Sequence, residues 1–144
     1  MTATATPALV LKRAAAKAKR ERYEDELAFQ IRAHRLPVPL RQYRFAQELG
    51  RQWRFDFCFT QQRLAIEVEG LVASPAIVAG RRTIVLTGGH ATPEGFKDDI
   101  AKYNAATLLG WRLLRFHQQQ IATGEAIAMI ERTLAALGWA RRAA

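Results

Sequence analysis

Residues 53–59 read WRFDFCF and residues 64–70 read LAIEVEG, two apolar runs that predict neighbouring strands. Side chains alternate between the two faces of a strand, so the three phenylalanines are predicted on one face and Asp56 on the other. Glu67 and Glu69 likewise share one face of the second run. If the two strands form a hairpin, the three carboxylates converge on one patch, where they repel each other and resist burial. A divalent cation relieves this repulsion, and hard oxygen ligands suit Mg²⁺.

The composition indicates one domain with a polyanionic partner. The chain has 144 residues, a net charge of +9 and a sequence pI near 10.6, which favours nucleic acid first and an anionic membrane surface second. No stretch approaches the roughly 20 apolar residues of a membrane span, and residues 1–7 lack the layout of a signal peptide. The single cysteine, Cys58, excludes an internal disulfide and a multi-cysteine zinc site. We therefore expect a soluble, cytoplasmic protein.

The first helix is predicted from residue 9 to about residue 35, a stretch without Gly or Pro. Its first part, residues 12–20, is basic and poor in large apolar groups, as in a solvated helix or an arm. Its second part carries an apolar stripe in which Leu27 and Ile31 follow Glu24 at helical spacing. Glu24 is therefore predicted to face inward.

The remaining elements are predicted from apolar runs and from the turn residues between them. We expect the three strands of an antiparallel meander at about residues 41–47, 52–60 and 63–69. A helix at about residues 93–109, a strand at 111–116 and a last helix at 118–137 follow. Residues 70–96 are the least regular part, with a short strand at 83–86. The order is α-β-β-β-α-β-α, in an α/β protein that comprises a basic N-terminal arm at residues 1–20 and a single domain at residues 21–144.

This order, with acids in these places, resembles the PD-(D/E)XK nuclease superfamily. Asp56 fills the position of the acid on the second strand, and Glu67-Val68-Glu69 that of the E-x-K signature on the third. The stretches FKDDIAKYN at 96–104 and LGWRLLRF at 109–116 are similar to the tail of small phage and bacterial nucleases related to very-short-patch repair endonucleases. The resemblance spans residues 20 to 120 and implies a restriction-endonuclease-like core with a mixed central sheet flanked by helices.

The N-terminal segment is similar to Holliday junction resolvases of the archaeal type, which begin with a basic stretch and a helix that carries a catalytic Glu. That pattern places the helix acid on Glu24. Two positions depart from the family. Glu69 replaces the common Lys, which leaves Lys102 on the next helix as a candidate for the ammonium group. The His that repair endonucleases place after the third strand has its nearest counterpart in His90, twenty residues beyond Gly70.

The resemblance implies roles for the clustered residues, with Mg²⁺ as cofactor and Mn²⁺ as a substitute. Asp56 and Glu67 would bind the metal together with the Val68 carbonyl. Glu69 would hold a water molecule at the metal or act as base, and Glu24 would hold a second metal or a water. The catalytic set is then Glu24, Asp56, Glu67, Glu69 and Lys102. The alternative is that these acids lie on a solvated sheet face.

The partner is expected to be DNA, bound through basic side chains. The candidate DNA-binding residues are Lys12, Arg13, Lys17, Lys19, Arg20, Arg81, Arg82 and Lys97. We expect a metal-dependent DNA endonuclease, specific for structure, that resolves four-way junctions as a homodimer with two-fold symmetry. Two alternatives stay open: a nicking endonuclease of the very-short-patch type, and a nucleic-acid-binding module without catalytic activity.

Overall fold

The computed structural model describes residues 6–70, 72–87 and 92–143 as a mixed α/β protein with a mixed sheet and flanking helices. The first half contains helix α1 (Pro7–Ala33) and strands β1 (Leu40–Arg44), β2 (Arg54–Phe59), β3 (Leu64–Glu69), β4 (Val72–Val78) and β5 (Arg81–Thr87). The second half contains α2 (Pro93–Leu108), β6 (Arg112–His117), α3 (Gln118–Ala122) and α4 (Glu125–Ala136). Among the described helices, none is both long and apolar enough to cross a membrane.

The main sheet has four strands in the order β1-β2-β3-β6. The first three strands form an antiparallel meander, and β6 lies parallel to β3. A parallel neighbour needs a crossover connection, because the chain must return to the end at which β3 began. Helix α2 lies in that connection. This arrangement places the C-terminal half of β3 along β6, beyond the end of its ladder with β2, next to Lys102 and Tyr103 of α2.

Two buried clusters cover the two faces of the sheet. Successive residues of β3 alternate between them, because Ile66 belongs to the larger cluster and Ala65 to the smaller one. The larger cluster packs α1, α3 and α4 against β2 and β3, with Leu27, Ile31, Ile66, Ile121, Ile130 and Leu134 among its members. The smaller cluster packs α2 against the other face and contains Phe45, Phe55, Cys58, Ala105, Ala106 and Trp111. Burial raises the pKa of the Cys58 thiol to about 11, so this side chain acts as a small apolar group.

The prediction that the three phenylalanines of β2 share one face is wrong. Phe57 and Phe59 belong to the larger cluster, whereas Phe55 belongs to the smaller one. Phe55 stacks on Phe45 with ring centroids 3.9 Å apart. The regular ladder between β2 and β3 ends at the pair Phe57 and Ile66. The alternation of β2 is interrupted between Phe57 and Phe55, although β1 pairs with both residues, and Phe55 therefore lies on the opposite face.

Two further elements differ from the expected ones. The predicted helix at 118–137 is divided into α3 and α4, because Gly124 between them has a φ of +80°, which ends a right-handed helix. Residues 72–87, expected to be mostly irregular, form a second, two-stranded sheet from β4 and β5. Its turn residues Ala79 and Gly80 have φ values of +50° and +75°, as in a two-residue hairpin turn.

Candidate functional site

Asp56 lies where β2 and β3 separate. Its carboxylate is 2 % exposed, and one oxygen, Oδ2, accepts the Val68 main-chain N–H at 2.7 Å. The side chain thus replaces a strand-to-strand hydrogen bond at the point where the ladder ends. The other oxygen, Oδ1, accepts from Arg20 Nη2 at 2.8 Å and from Gln42 Nε2 at 3.3 Å. Gln42 lies on β1 between Arg41 and Tyr43, the partners of Phe57 and Phe55, and has a φ of +51°, a backbone conformation that residues other than glycine rarely adopt.

Glu24 reaches the same place from helix α1. As predicted from the helical spacing, it faces inward and is buried, with Leu27 and Ile31 on the same side of the helix. Arg20, one turn earlier, donates from Nε to Glu24 Oε1 at 3.0 Å and so bridges Glu24 to Asp56. Burial and the negative charge of Asp56 raise the pKa of Glu24, while Arg20 opposes the rise.

Glu67 is the buried acid of β3 and faces helix α2. Lys102 Nζ donates to Glu67 Oε1 at 2.9 Å, and both side chains are largely withdrawn from water. Burial and the nearby charge of Asp56 raise the pKa of Glu67 to about 7, although Lys102 acts in the opposite direction. The alternative in which these acids lie on a solvated sheet face is therefore wrong for Asp56 and Glu67.

Glu69 lies at the end of β3 and is held by two partners. Arg115 Nε on β6 donates to Glu69 Oε1 at 2.6 Å, and the Tyr103 hydroxyl of α2 lies 3.4 Å from the same oxygen. The Arg115 guanidinium also sits 4.3 Å from the centroid of the Tyr103 ring. Burial and the charges of Glu69 and Glu67 raise the pKa of Tyr103, so its hydroxyl stays protonated and can donate.

The site therefore collects four carboxylates and four basic side chains in ion pairs. The acids are Glu24, Asp56, Glu67 and Glu69, and the bases are Arg20, Arg41, Lys102 and Arg115. Each acid accepts from at least one base, which compensates much of the cost of burial. All five predicted catalytic residues belong to this network, and Lys102 contacts Glu67 directly.

The carboxylates of the site are chemically suitable ligands for a metal ion, but they already form ion pairs with basic side chains. Asp56 and Glu67 offer the hard oxygens that Mg²⁺ prefers. The N–H and C=O of one strand residue point to the same edge, so the Val68 carbonyl lies on the Asp56 side of β3. Within the part of the chain that the structure describes, no three His, Cys or acidic side chains are grouped as ligands of a metal ion. Binding of Mg²⁺ would weaken the contacts of Arg20 and Lys102 by like-charge repulsion.

The predicted DNA-binding residues lie in three places. Lys12, Arg13, Lys17 and Lys19 are exposed along the first half of α1, which continues without interruption through residue 20. Arg20 differs from these four, because its guanidinium binds Glu24 and Asp56. Arg81 and Arg82 are exposed on the β4–β5 hairpin, and Lys97 is exposed on α2. His90 lies outside the described residues.

Four residues of the network had no role in the sequence-based prediction: Arg41, whose Nη2 lies 3.7 Å from Glu24 Oε2, Gln42, Tyr103 and Arg115. Gln42 donates to both Glu24 and Asp56, and Tyr103 and Arg115 hold Glu69. Gln42 carries no signal in the sequence, since a polar residue in an exposed edge strand is ordinary. For Arg115 a signal exists: it is the one basic residue inside the apolar stretch at 113–116.

The arrangement can do two things chemically. It can hold a proton on Glu67 near neutral pH, and it can exchange the ammonium and guanidinium groups at the carboxylates for another cation.

In three comparisons, the chain matches no protein-family model, no curated protein and no solved structure.

Proposed function

We propose that this protein is a metal-dependent DNA endonuclease with a restriction-endonuclease-like core, as in the PD-(D/E)XK superfamily. The observation that carries the proposal is the burial of Asp56 and Glu67 side by side where β2 and β3 separate. Burial and the negative charge of Asp56 raise the pKa of Glu67, and acids with a perturbed pKa cluster at functional sites. A purely structural role would be served at lower cost by apolar side chains.

The topology supports the finer assignment of the core. A helix with an inward Glu24 precedes an antiparallel meander, and a crossover helix leads to a strand parallel to β3. Asp56 lies on β2, and Glu67 and Glu69 lie on β3, the two strands to which the superfamily resemblance assigns these acids. The extra β4–β5 hairpin is an insertion between β3 and the crossover helix.

The roles of the residues follow from their contacts. Asp56, Glu67 and the Val68 carbonyl would hold Mg²⁺, which neutralises the scissile phosphate and lowers the pKa of an attacking water. Glu67 would give up its proton as the metal binds. Arg20 and Lys102 would then be released toward the negatively charged substrate. Glu69, fixed by Arg115 and Tyr103, would act as base or position the water.

The substrate is proposed to be branched DNA. The exposed basic face of α1 carries Lys12, Arg13, Lys17 and Lys19, which suits contact with phosphates rather than with base edges. Resolution of a four-way junction needs two cuts related by symmetry, so the active form is proposed to be a homodimer.

A second candidate function is a nucleic-acid-binding module without catalysis. The ion pairs of Arg20 with Asp56 and of Lys102 with Glu67 favour it, because they already neutralise the acids. In this alternative the network serves only to hold α1 and α2 against the sheet.

Cleavage assays separate these candidates. Four-way junction, linear duplex and mismatched duplex are incubated with the protein in Mg²⁺, in Mn²⁺ and in EDTA. We expect paired nicks in the junction with either metal, no cleavage in EDTA, and little action on linear duplex. Preferred nicking of the mismatched duplex would instead favour the repair-type nickase, and no cleavage with either metal would favour the binding module.

Matched variants test the site itself. Asp56→Asn and Glu67→Gln keep the size of the side chain and remove a charged ligand, so each should abolish cleavage and leave DNA binding in EDTA nearly unchanged. Asp25→Asn is the control, because the Asp25 side chain is 70 % exposed and pairs only with Arg41 among the described residues. Activity of Asp56→Asn close to that of Asp25→Asn would contradict the assignment.

A further inference from the structure

The β4–β5 hairpin stands apart from the main sheet. Within the described part of the chain its strands pair only with each other, from the pair Val72 and Thr87 to the pair Val78 and Arg81 at the turn. An isolated two-stranded hairpin is marginally stable in water, so it usually gains stability from a surface on which it packs. Most described side chains of the hairpin are nevertheless exposed.

Large apolar side chains are among these exposed residues. Ile77 is 75 % exposed, Ile84 69 % and Val78 54 %. Residues paired across an antiparallel ladder lie on the same face, and Ile77 pairs with Arg82 while Ile84 pairs with Pro75. Ile77, Arg82 and Ile84 therefore form one continuous face of the hairpin. Exposed apolar groups beside polar ones mark a surface that binds a partner.

The charge of the hairpin favours an anionic partner. Residues 72–87 contain two arginines and no acid, and both arginines adjoin the turn, one on each face. Neither guanidinium contacts an acidic side chain of the described residues. Two adjacent positive charges at the tip would repel a second copy of the same hairpin. Pro75 has no N–H to donate, which hinders the addition of another strand along the edge of β4.

We infer that the hairpin is a DNA-binding ribbon whose tip enters a groove of the branched substrate. This inference rests on the proposed function, since it takes DNA as the ligand. A two-stranded ribbon fits the width of the major groove, and other ribbon proteins use the minor groove. Arg81 and Arg82 contact phosphates, and Ile77 and Ile84 contact base faces where stacking is interrupted, as at a branch point.

Binding of a four-way junction in EDTA tests the ribbon without cleavage. Fluorescence anisotropy is measured between 50 and about 200 mM salt for the wild type and for the double variant Arg81→Ala, Arg82→Ala. We expect this variant to bind several-fold more weakly and to lower the slope of log affinity against log salt by about two, one for each phosphate contact. The control Arg132→Ala, Arg142→Ala removes the same charge from exposed positions elsewhere and should leave the slope unchanged.

The apolar face is tested with the double variant Ile77→Thr, Ile84→Thr, which keeps the β-branched shape. A 2-aminopurine at the branch point should brighten when the wild type binds, and should brighten at least twofold less with this variant. Val38→Thr, at a side chain that is 89 % exposed, is the control. The midpoint of thermal unfolding should be the same for all three proteins, because the hairpin lies outside both buried clusters.

Three results would overturn the inference. The first is an unchanged affinity and slope for the arginine variant. The second is a lower thermal midpoint for the isoleucine variant, which would make these side chains part of the core. The third is conversion of a dimer to a monomer by the isoleucine variant in light scattering, which would assign the hairpin to a second copy. Failure of the proposed nuclease function would show separately, as a wild type that binds the junction through the ribbon but does not cleave it in Mg²⁺.

Discussion

Glu67 makes the stability of the metal-free protein depend on pH. Its pKa is about 7 in the folded protein, against an ordinary value of 4.5, because the carboxyl is buried beside Asp56. Between these two values the unfolded chain has lost the proton while the folded protein keeps it. The folded state therefore binds more protons, and the free energy of unfolding falls as pH rises through this window. At about 1.4 kcal/mol per pH unit, the loss from Glu67 is about 3 kcal/mol, complete above pH 7. Glu24, whose pKa is also raised, adds to it in the same direction.

Urea unfolding in EDTA measures this effect at half-unit steps from pH 4.5 to pH 8. For the wild type we expect a fall of about 3 kcal/mol or slightly more across the range. Glu67→Gln should remove most of the slope, because the amide does not ionise. At pH 8 the free energy of unfolding of Glu67→Gln should exceed that of the wild type by less than about 3 kcal/mol, because Lys102 loses its ion-pair partner in this variant. The control Glu48→Gln changes an exposed Glu and should keep the wild-type slope. Equal slopes for Glu67→Gln and Glu48→Gln would show that Glu67 does not cause the pH dependence.

Three other expectations concern the contacts around the site. Arg20→Met removes the cation between Glu24 and Asp56 and should lower the free energy of unfolding by about 2 kcal/mol in EDTA, since the Arg20 side chain is 39 % exposed and partly screened. Millimolar Mg²⁺ should restore much of this loss in urea titrations, and a variant as stable as the wild type would contradict the bridging role. The triple variant Lys12→Ala, Arg13→Ala, Lys19→Ala should leave the free energy of unfolding unchanged. It should reduce the slope of log DNA affinity against log salt by about one per lost phosphate contact. An unchanged slope would assign the arm to another partner. Phe55→Ala should cost about 3–5 kcal/mol in urea unfolding, whereas Phe29→Ala, at a 63 % exposed side chain, should cost little; similar costs would mean that the smaller cluster is loosely packed.

The inward position of Glu24 could be predicted from the sequence because a helix has a fixed period. Leu27 and Ile31 define the buried stripe, and Glu24 falls on it whatever the helix packs against. The carboxylates of β3 could be predicted for the same reason, since Glu67 alternates with Ile66 and Val68 in a strand that is buried on both sides. Local periodicity and composition thus determined which acids enter the interior, and the net charge of +9 determined the class of partner to expect.

The tertiary structure alone decided how these acids are neutralised. Arg20 was grouped with the exposed basic arm, but it reaches Asp56 across 36 positions of sequence because α1 lies against the open end of β2. Arg115 meets Glu69 only because β6 pairs in parallel register with β3. Phe55 lies in the smaller cluster because the alternation of β2 is interrupted between Phe55 and Phe57. Periodicity within one element specifies a face, whereas the partner on that face is set by packing between distant elements, which no local pattern encodes.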